Sequence, residues 1–541
     1  MGERSKVDTN SGLLLVNGKF YTMDGALPRA EAVAMSGSRI LGVGRESELR
    51  HLAQGKGWRI ADLGGKVVLP GLIDCHVHFL SYALGLSRVQ LGAEQSLVDT
   101  LRAVGEYVQA AEAGQWVLGH GWNDNLWTEG RPPTRDALDQ IAPRNPVALS
   151  KKDYHAVWVN SVALQLAGID ENTRDPEGGR IERDEATGEP TGLLLENATE
   201  LVHAAVPVVG PSVRQRALRH AIGKAQRLGL TGIHDCDGSE SLSDYQELQS
   251  SDELGLRVFM MIPRENLDAA IKVGLKTGFG NEHLRIGNVK MFCDGTLGSQ
   301  TAELLQPFIG QPENTGIAAI TQEELEDAVR RASEAGIGCS VHAIGDKANR
   351  RALDAYAGLR QGGQGTGLRL RIEHVQLLEP TDVPRFKELD VIASMQPIHA
   401  TSDIDLADRY WGKRGRWAYA WNSLLSAGAR LAFGSDAPVE SPDPLLGIHA
   451  AVSRQRPNGE PKGGWHPEQR LSVTQAVHGY TLGAAYASGE EKEKGSIAPG
   501  KLADLVVLSE DIFAMQPQDI LNAAVVATIF DGKIVHGEDN L

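Results

Sequence analysis

An apolar run, Val67-Val-Leu-Pro-Gly-Leu-Ile-Asp-Cys-His-Val-His78, ends in two histidines spaced i, i+2. Successive side chains of a β-strand point to opposite faces, so His76 and His78 are expected to share one. Imidazole is the commonest protein metal ligand, and a pair on one strand end makes half of a divalent-metal site. Taken alone, such a pair reads equally well as two satisfied core histidines. Four more residues of ligand type occupy comparable places. Lys290 lies in the otherwise apolar Gly287-Asn-Val-Lys-Met-Phe292, and His342 closes Cys339-Ser-Val-His342. His374 closes Arg371-Ile-Glu-His374, and Asp436 lies in Phe433-Gly-Ser-Asp-Ala-Pro438. Each has an ordinary reading: a salt-bridged lysine, a core histidine bonded to backbone, an aspartate capping a turn. Together they form a ring of ligands too complete for coincidence, and the chemistry it implies is that of a bound Lewis acid.

The elements that must position this ring are visible from Val67 onward, where short apolar, β-branched runs alternate with helical segments. Eight strands are predicted: Gly71–His78, Gly229–Cys236, Leu256–Ile262, Ile286–Phe292, Ile337–His342, Leu370–Val375, Val391–Gln396 and Arg430–Asp436. Between them lie helices with recognisable ends. Thr321-Gln-Glu-Glu324 is a capping box followed by Leu325, Val329 and Ala332 on one face and stopped at Gly336. Asp346 opens another helix carrying Ala348, Ala352 and Tyr356. Repeated strand–helix alternation implies parallel strands with crossover helices, and eight of them imply an α/β fold, a (β/α)8 TIM barrel occupying 69–86 and 216–484. The ligand residues then fall at the carboxyl ends of strands one, four, five, six and eight, the face where barrel enzymes assemble their sites. Residues 87–215, rich in tryptophan (Trp116, Trp122, Trp127, Trp158), are too long for a loop and are expected to form an inserted subdomain near the barrel mouth. Strand-like segments at both ends predict a small composite β-sandwich from 11–68 and 485–541, preceded by a disordered leader over 1–10.

Composition narrows the class. A chain of 541 residues with 41% hydrophobic content buries a sizeable core. The net charge of −16 argues against nucleic acid or anionic membranes as partners, and no apolar run has the length of a membrane span. The cysteines Cys75, Cys236, Cys293 and Cys339 are dispersed, without a C-x-x-C pair, which predicts reduced thiols and a cytoplasmic location.

Pro70-Gly-Leu-Ile-Asp-Cys-His-Val-His78, Lys290 with Asp294-Gly, Val341-His-Ala-Ile-Gly-Asp346, Ile372-Glu-His374 and Gly434-Ser-Asp-Ala-Pro438 together resemble the amidohydrolase superfamily. Gly121-Trp122, Asp153-Tyr-His155, Trp158-Val-Asn-Ser161, Asp294-Gly-Thr-Leu-Gly-Ser-Gln-Thr-Ala302 and Met395-Gln-Pro397 resemble its YtcJ-like branch, amidohydrolase family 3, which includes N-substituted formamide deformylases. The resemblance spans about residues 12–537. It implies one or two divalent metal ions, expected to be zinc, with His76, His78 and Asp436 on the buried ion and His342 and His374 on the second. Lys290, N6-carboxylated, would bridge both. Asp436 would also be the catalytic base and then acid for a metal-bound hydroxide attacking a small-molecule substrate. The implied reaction is hydrolysis of a non-peptide C–N bond, an N-substituted amide or formamide. Heterocycle deamination, ester or lactone hydrolysis and a non-catalytic scaffold stay open. Deaminases of this kind carry a His-x-x-Glu after strand five, where this chain has His342-Ala-Ile-Gly-Asp346. Candidate substrate contacts are Trp122, Asp153, His155, Asp294, Gln300, His399 and Asp403, with Trp127, Trp411 and Trp417 as further apolar candidates and Asp346 as a partner of the metal histidines. A homodimer is the expected assembly.

Overall fold

The computed structural model describes residues 12–540 except 55–56, 125–126, 128–132, 153–155, 177–178 and 364. The 1–10 leader lies outside the described residues. The chain divides into two compact units, Leu80–Leu218 and the remainder.

The larger unit holds eight parallel strands in the order of the sequence. They are β1 (Leu72–Val77), β2 (Leu230–Asp235), β3 (Arg257–Pro263), β4 (Leu284–Phe292), β5 (Cys339–Ala343), β6 (Leu370–His374), β7 (Val391–Met395) and β8 (Arg430–Phe433). Seven of them begin and end within two residues of the segment expected from the apolar pattern, and β8 stops three residues short, at Phe433 rather than Asp436. The last seam is closed beyond β8, where Asp436 N–H donates to the His76 carbonyl at 2.7 Å and His78 N–H to Ala437 at 2.8 Å. The barrel is therefore the TIM barrel that the alternation predicted. The helix Gln322–Glu334 begins at the Thr321 capping box and buries Leu325, Val329 and Ala332, and Gly336, at φ +80°, turns the chain into β5. Asp346–Gln361 buries Ala348, Ala352 and Tyr356 against the next strands.

The termini build two further sheets in the same unit. One pairs Arg39–Gly44, Ala32–Ser36, Leu13–Val16 and Arg59–Asp62; the other runs Lys533–His536, Val525–Phe530, Leu505–Leu508, Val67–Pro70, Lys19–Tyr21 and Arg29–Ala30. Leu15, Phe20, Val33, Val68, Leu505 and Ile529 share one apolar core between them. Val67–Pro70 runs directly into β1, so sandwich and barrel are continuous there. Buried Arg257 of β3 ties them again, reaching Asp504 at 2.6 and 2.9 Å and Asp531 at 3.0 Å.

The second unit is a six-stranded sheet covered by helices that include Leu97–Ala110 and Arg135–Ile141. Trp122, Trp127 and Trp158 pack edge-on or tilted in its core, with ring centroids 5.9–6.2 Å apart.

The closing seam of the barrel leaves no room for a side chain at Gly434. A Cβ there would lie 2.4 Å from the His76 backbone nitrogen and 2.7 Å from Asp74 Oδ1. Gly434→Ala is expected to lower thermal stability, by an overpacking cost of about 1–3 kcal/mol, and to reduce metal uptake with it. Differential scanning calorimetry beside metal analysis checks this, and wild-type values for both would contradict the seam described here.

Candidate metal centre

The bottom of the site is made by β1 and β6. An extra residue between Asp74 and Val77, set against Ile233–Asp235 of β2, breaks strict alternation just where His76 sits. His76 is fully buried; its Nδ1 lies 2.7 Å from Glu373 Oε2, and its Nε2 has no hydrogen-bond partner. His78 follows β1 and places Nδ1 3.3 Å from Asp237 Oδ1. The two Nε2 atoms converge on Asp436 Oδ1, at 3.5 Å from His76 and 3.6 Å from His78. On its other side Asp436 Oδ2 lies 3.7 Å from Nε2 of His399, which also has no hydrogen-bond partner.

Backbone conformation does part of the positioning. His374 and Asp436 take φ values of +75° and +61°, in the left-handed region that costs a non-glycine residue about 1–2 kcal/mol. The turn at His374 lets adjacent residues serve the site together: Glu373 holds His76 while the His374 ring stands 4.8 Å from the His76 ring and 4.4 Å from that of His342. Asp436 is held by the seam. The buried Asp74 carboxylate accepts the Ser435 N–H at 3.0 Å, the Ser435 hydroxyl, and the His76 N–H at 3.2 Å.

The electrostatics suit a cation. Burial, with Lys290 nearby, lowers His76 to about 4 and His342 to about 3, and burial among other imidazoles pushes His374 well down. These rings are neutral near pH 7, the state a metal ligand requires. Burial pushes Asp436 up, but His76, His399, His78 and Lys290 outweigh it and hold the carboxyl below its ordinary value. Lys290 is 3% exposed, its Nζ has no hydrogen-bond partner, and it stands 4.5 Å from the Phe292 ring centroid. A buried, unpartnered ammonium among imidazoles is costly unless something compensates it.

Among the described residues, two groups of donor atoms are close enough to share an ion: His76, His78 and Asp436, and His374, His399 and Asp436. Nitrogens without hydrogen-bond partners on His76 and His399, both facing the Asp436 carboxylate, and one on His374 nearby are the donor types a divalent cation takes. The second group brings in His399, read from sequence as a substrate contact, beside His374 and Asp436, while the His342 ring stands 4.4 Å from that of His374. His342 Nε2 lies 3.1 Å from the Gly295 carbonyl, which calls for a proton on that nitrogen and leaves the lone pair on Nδ1.

Several sequence-predicted substrate contacts are engaged in the fold. Asp294 accepts from the backbone of Ile344, Gly345 and Glu303 at 2.8–3.0 Å, tying the segment after β4 to that after β5; burial raises its carboxyl to about 7. Gln300 pairs with Gln311, and Asp403 accepts the Tyr419 hydroxyl. Trp122 is buried in the second unit and donates its indole N–H to Leu149. Asp346 accepts from Leu305 N–H, Trp411 is buried, and Trp417 is part-buried. Asp153 and His155 lie outside the described residues. Sequence reading missed Asp74, Asp237, Arg371 and Glu373. For the last two the signal was there: two charges at i, i+2 inside a buried strand are paired with something.

The amidohydrolase family model matches residues 59–536. Protein LONG AFTER FAR-RED 3 of Arabidopsis thaliana is 37% identical over 96% of this chain and 91% of its own length. N-substituted formamide deformylase of Arthrobacter pascens is 30% identical over 96% of this chain and 98% of its own. A crystal structure of an uncharacterized metal-dependent hydrolase from Pyrococcus horikoshii OT3 superposes with TM-score 0.79 at 28% identity, covering 94% of this chain and 99% of that one.

The donor geometry separates His399 from His342. His399→Ala is expected to weaken binding of zinc or cobalt by more than the about 10–100-fold that losing an outer partner costs, and His342→Ala by less. Calorimetric titration of the two variants decides, and the reverse order would favour His342 over His399 as the ligand.

Proposed function

The chain belongs to the amidohydrolase family, and we propose that it hydrolyses an N-substituted amide, of which a formamide is the simplest case. It is a metal-dependent hydrolase by family and fold. One observation carries the reading of the site: the Asp436 carboxylate is shared by three imidazoles, His76, His78 and His399, at 3.5–3.7 Å. His76, His78 and Asp436 would hold one ion, and His374 and His399 a second beside the same carboxylate. Zinc suits neutral imidazoles with a carboxylate. A divalent cation held there supplies Lewis acidity, polarising a scissile carbonyl and making water acidic enough to lose a proton near neutral pH.

The residues around it carry the proton. Asp436, whose carboxyl lies below its ordinary value and is ionised near neutral pH, accepts the proton that the attacking water loses and passes it to the departing nitrogen. The carbonyl carbon gains the water oxygen, the C–N bond breaks, and an acid and an amine leave. Glu373 and Asp237 hold the His76 and His78 rings in place through Nδ1. Lys290 is read as N6-carboxylated: the ammonium loses a proton to solvent, the amine nitrogen bonds to the carbon of carbon dioxide, and a second proton leaves that nitrogen. A buried cation thereby becomes an anion with two oxygen donors, which the charge balance of the site favours. The resemblance to a formamide deformylase supports the amide class.

Asp436→Asn is expected to cut turnover of the best substrate in a panel of N-formyl, N-acetyl, carbamate and lactone compounds by about 10²–10⁴-fold, with an unchanged circular dichroism spectrum. Wild-type turnover in that variant would remove Asp436 from the proton path. Metal analysis with and without bicarbonate, beside intact mass, reads the lysine: two ions per chain and the added mass of carbon dioxide are expected. One ion and an unmodified Lys290 would replace the bridged centre with a single-ion site.

A further inference from the structure

Beneath the metal centre lies a chain of buried polar groups that begins at His76 and leads away from it. Glu373 Oε2 faces His76 Nδ1 at 2.7 Å. Behind the carboxylate, Arg371 Nε donates to Oε1 at 2.8 Å and Nη2 to Oε2 at 3.1 Å. The same Nη2 donates to the Cys75 carbonyl at 2.6 Å and to Ser394 Oγ at 3.0 Å, while Nη1 donates to His234 Nδ1 at 2.8 Å. Arg371, Glu373, His76 and His234 are all at 0% exposure.

We propose that Arg371 and Glu373 are positioning residues that fix the tautomer of His76, and so set the protein's affinity for its cation from beneath the site. This rests on the reading of the centre as a metal site. A guanidinium is a donor only and keeps its charge. The carboxylate clasped by it is an acceptor only, so the His76 nitrogen facing it must carry the proton. The lone pair is then on Nε2, the atom without a hydrogen-bond partner that points towards Asp436. Carboxylate–imidazole–metal pairings of this kind orient ligands and raise their basicity. Here the carboxylate is itself anchored by a cation bonded to β1, β2, β6 and β7.

The arrangement makes an unusual forecast for Glu373→Gln. The shorter arginine contact draws the amide oxygen to the Oε1 place, which leaves the NH2 group facing His76. His76 must then accept on Nδ1 and carry its proton on Nε2, towards the metal. In the double variant Arg371→Met/Glu373→Gln nothing draws the oxygen away, so it can turn to His76 and the original tautomer returns.

The test is calorimetric titration of the metal-stripped full chain with Co2+, for wild type, Glu373→Gln, the double variant and His76→Ala. Glu373→Gln is expected to bind about 10–100-fold more weakly, and the double variant to regain most of that loss, a rescue that a merely structural role would not give. Affinity of Glu373→Gln within threefold of wild type, or a double variant as weak as the single one, would overturn the proposal. No Co2+ binding by wild type, or undiminished binding by His76→Ala, would overturn the metal reading and the proposal with it. Nitrogen-15 spectra of histidine-labelled, metal-stripped wild type give a check independent of how the variants fold. The His76 signal, assigned by its loss in His76→Ala, must show Nδ1 protonated and Nε2 bare, and the opposite pattern would refute the proposal.

Discussion

The seam that closes the barrel is the constraint on which the site depends. His76 and Asp436 are far apart in the chain, and they meet because Asp74 Oδ1 accepts from the backbone of both His76 and Ser435. Hydrogen bonds to an ionised group contribute about 1.5–3 kcal/mol each, and a buried carboxylate without them is expensive. Burial pushes the Asp74 carboxyl up to about 7 in spite of these bonds, so the latch is made at an energetic cost. Gly434 is the steric half of the same device. Backbone contacts from Asp436 and Ala437 then lock the two ends in register, and the shared carboxylate comes to face three imidazoles.

Around that seam the charges are layered. Lowest is the Arg371–Glu373 pair, at 0% exposure and fully hydrogen-bonded, which turns a buried ion pair from a liability into a support. Above it are the rings of His76, His342 and His374, which burial keeps neutral, and the ionised Asp436, with Lys290 among them. Asp294 does for the segments after β4 and β5 what Asp74 does for the seam: a buried carboxylate collects backbone N–H groups and fixes two loops to each other. The motif Asp294-Gly thus holds the segments that follow these two strands to each other.

The parts of the site legible in sequence were those with a local signature. His76-Val-His78 is a short-range pattern. His342, His374 and Asp436 each end an apolar run whose length and composition mark a buried parallel strand. Their partners were hidden because pairing in a barrel joins residues hundreds of positions apart, such as Glu373 with His76 and Arg257 with Asp504. Alternation also misleads at strand ends. It places Glu373 and His374 on opposite faces, yet a positive φ at His374 brings both to the centre. His399 read as a substrate contact because it follows β7, in the helix Pro397–Ser402, and only the fold brings its Nε2 to Asp436.

By itself the sequence determined the parallel eight-stranded barrel, the composite sandwich and the end of the barrel that carries the chemistry. Those follow from periodicity, strand length and turn residues, which act over a few positions. The tertiary structure alone decided which ring nitrogen faces which carboxylate, that His399 rather than His342 has a nitrogen within 4 Å of Asp436, and which partners Asp294, Gln300 and Trp122 hydrogen-bond. Those outcomes depend on rotamers, on left-handed turns at two strand ends and on one glycine-sized gap at a seam. Distances of 3–4 Å between segments distant in sequence leave no periodic trace in the chain.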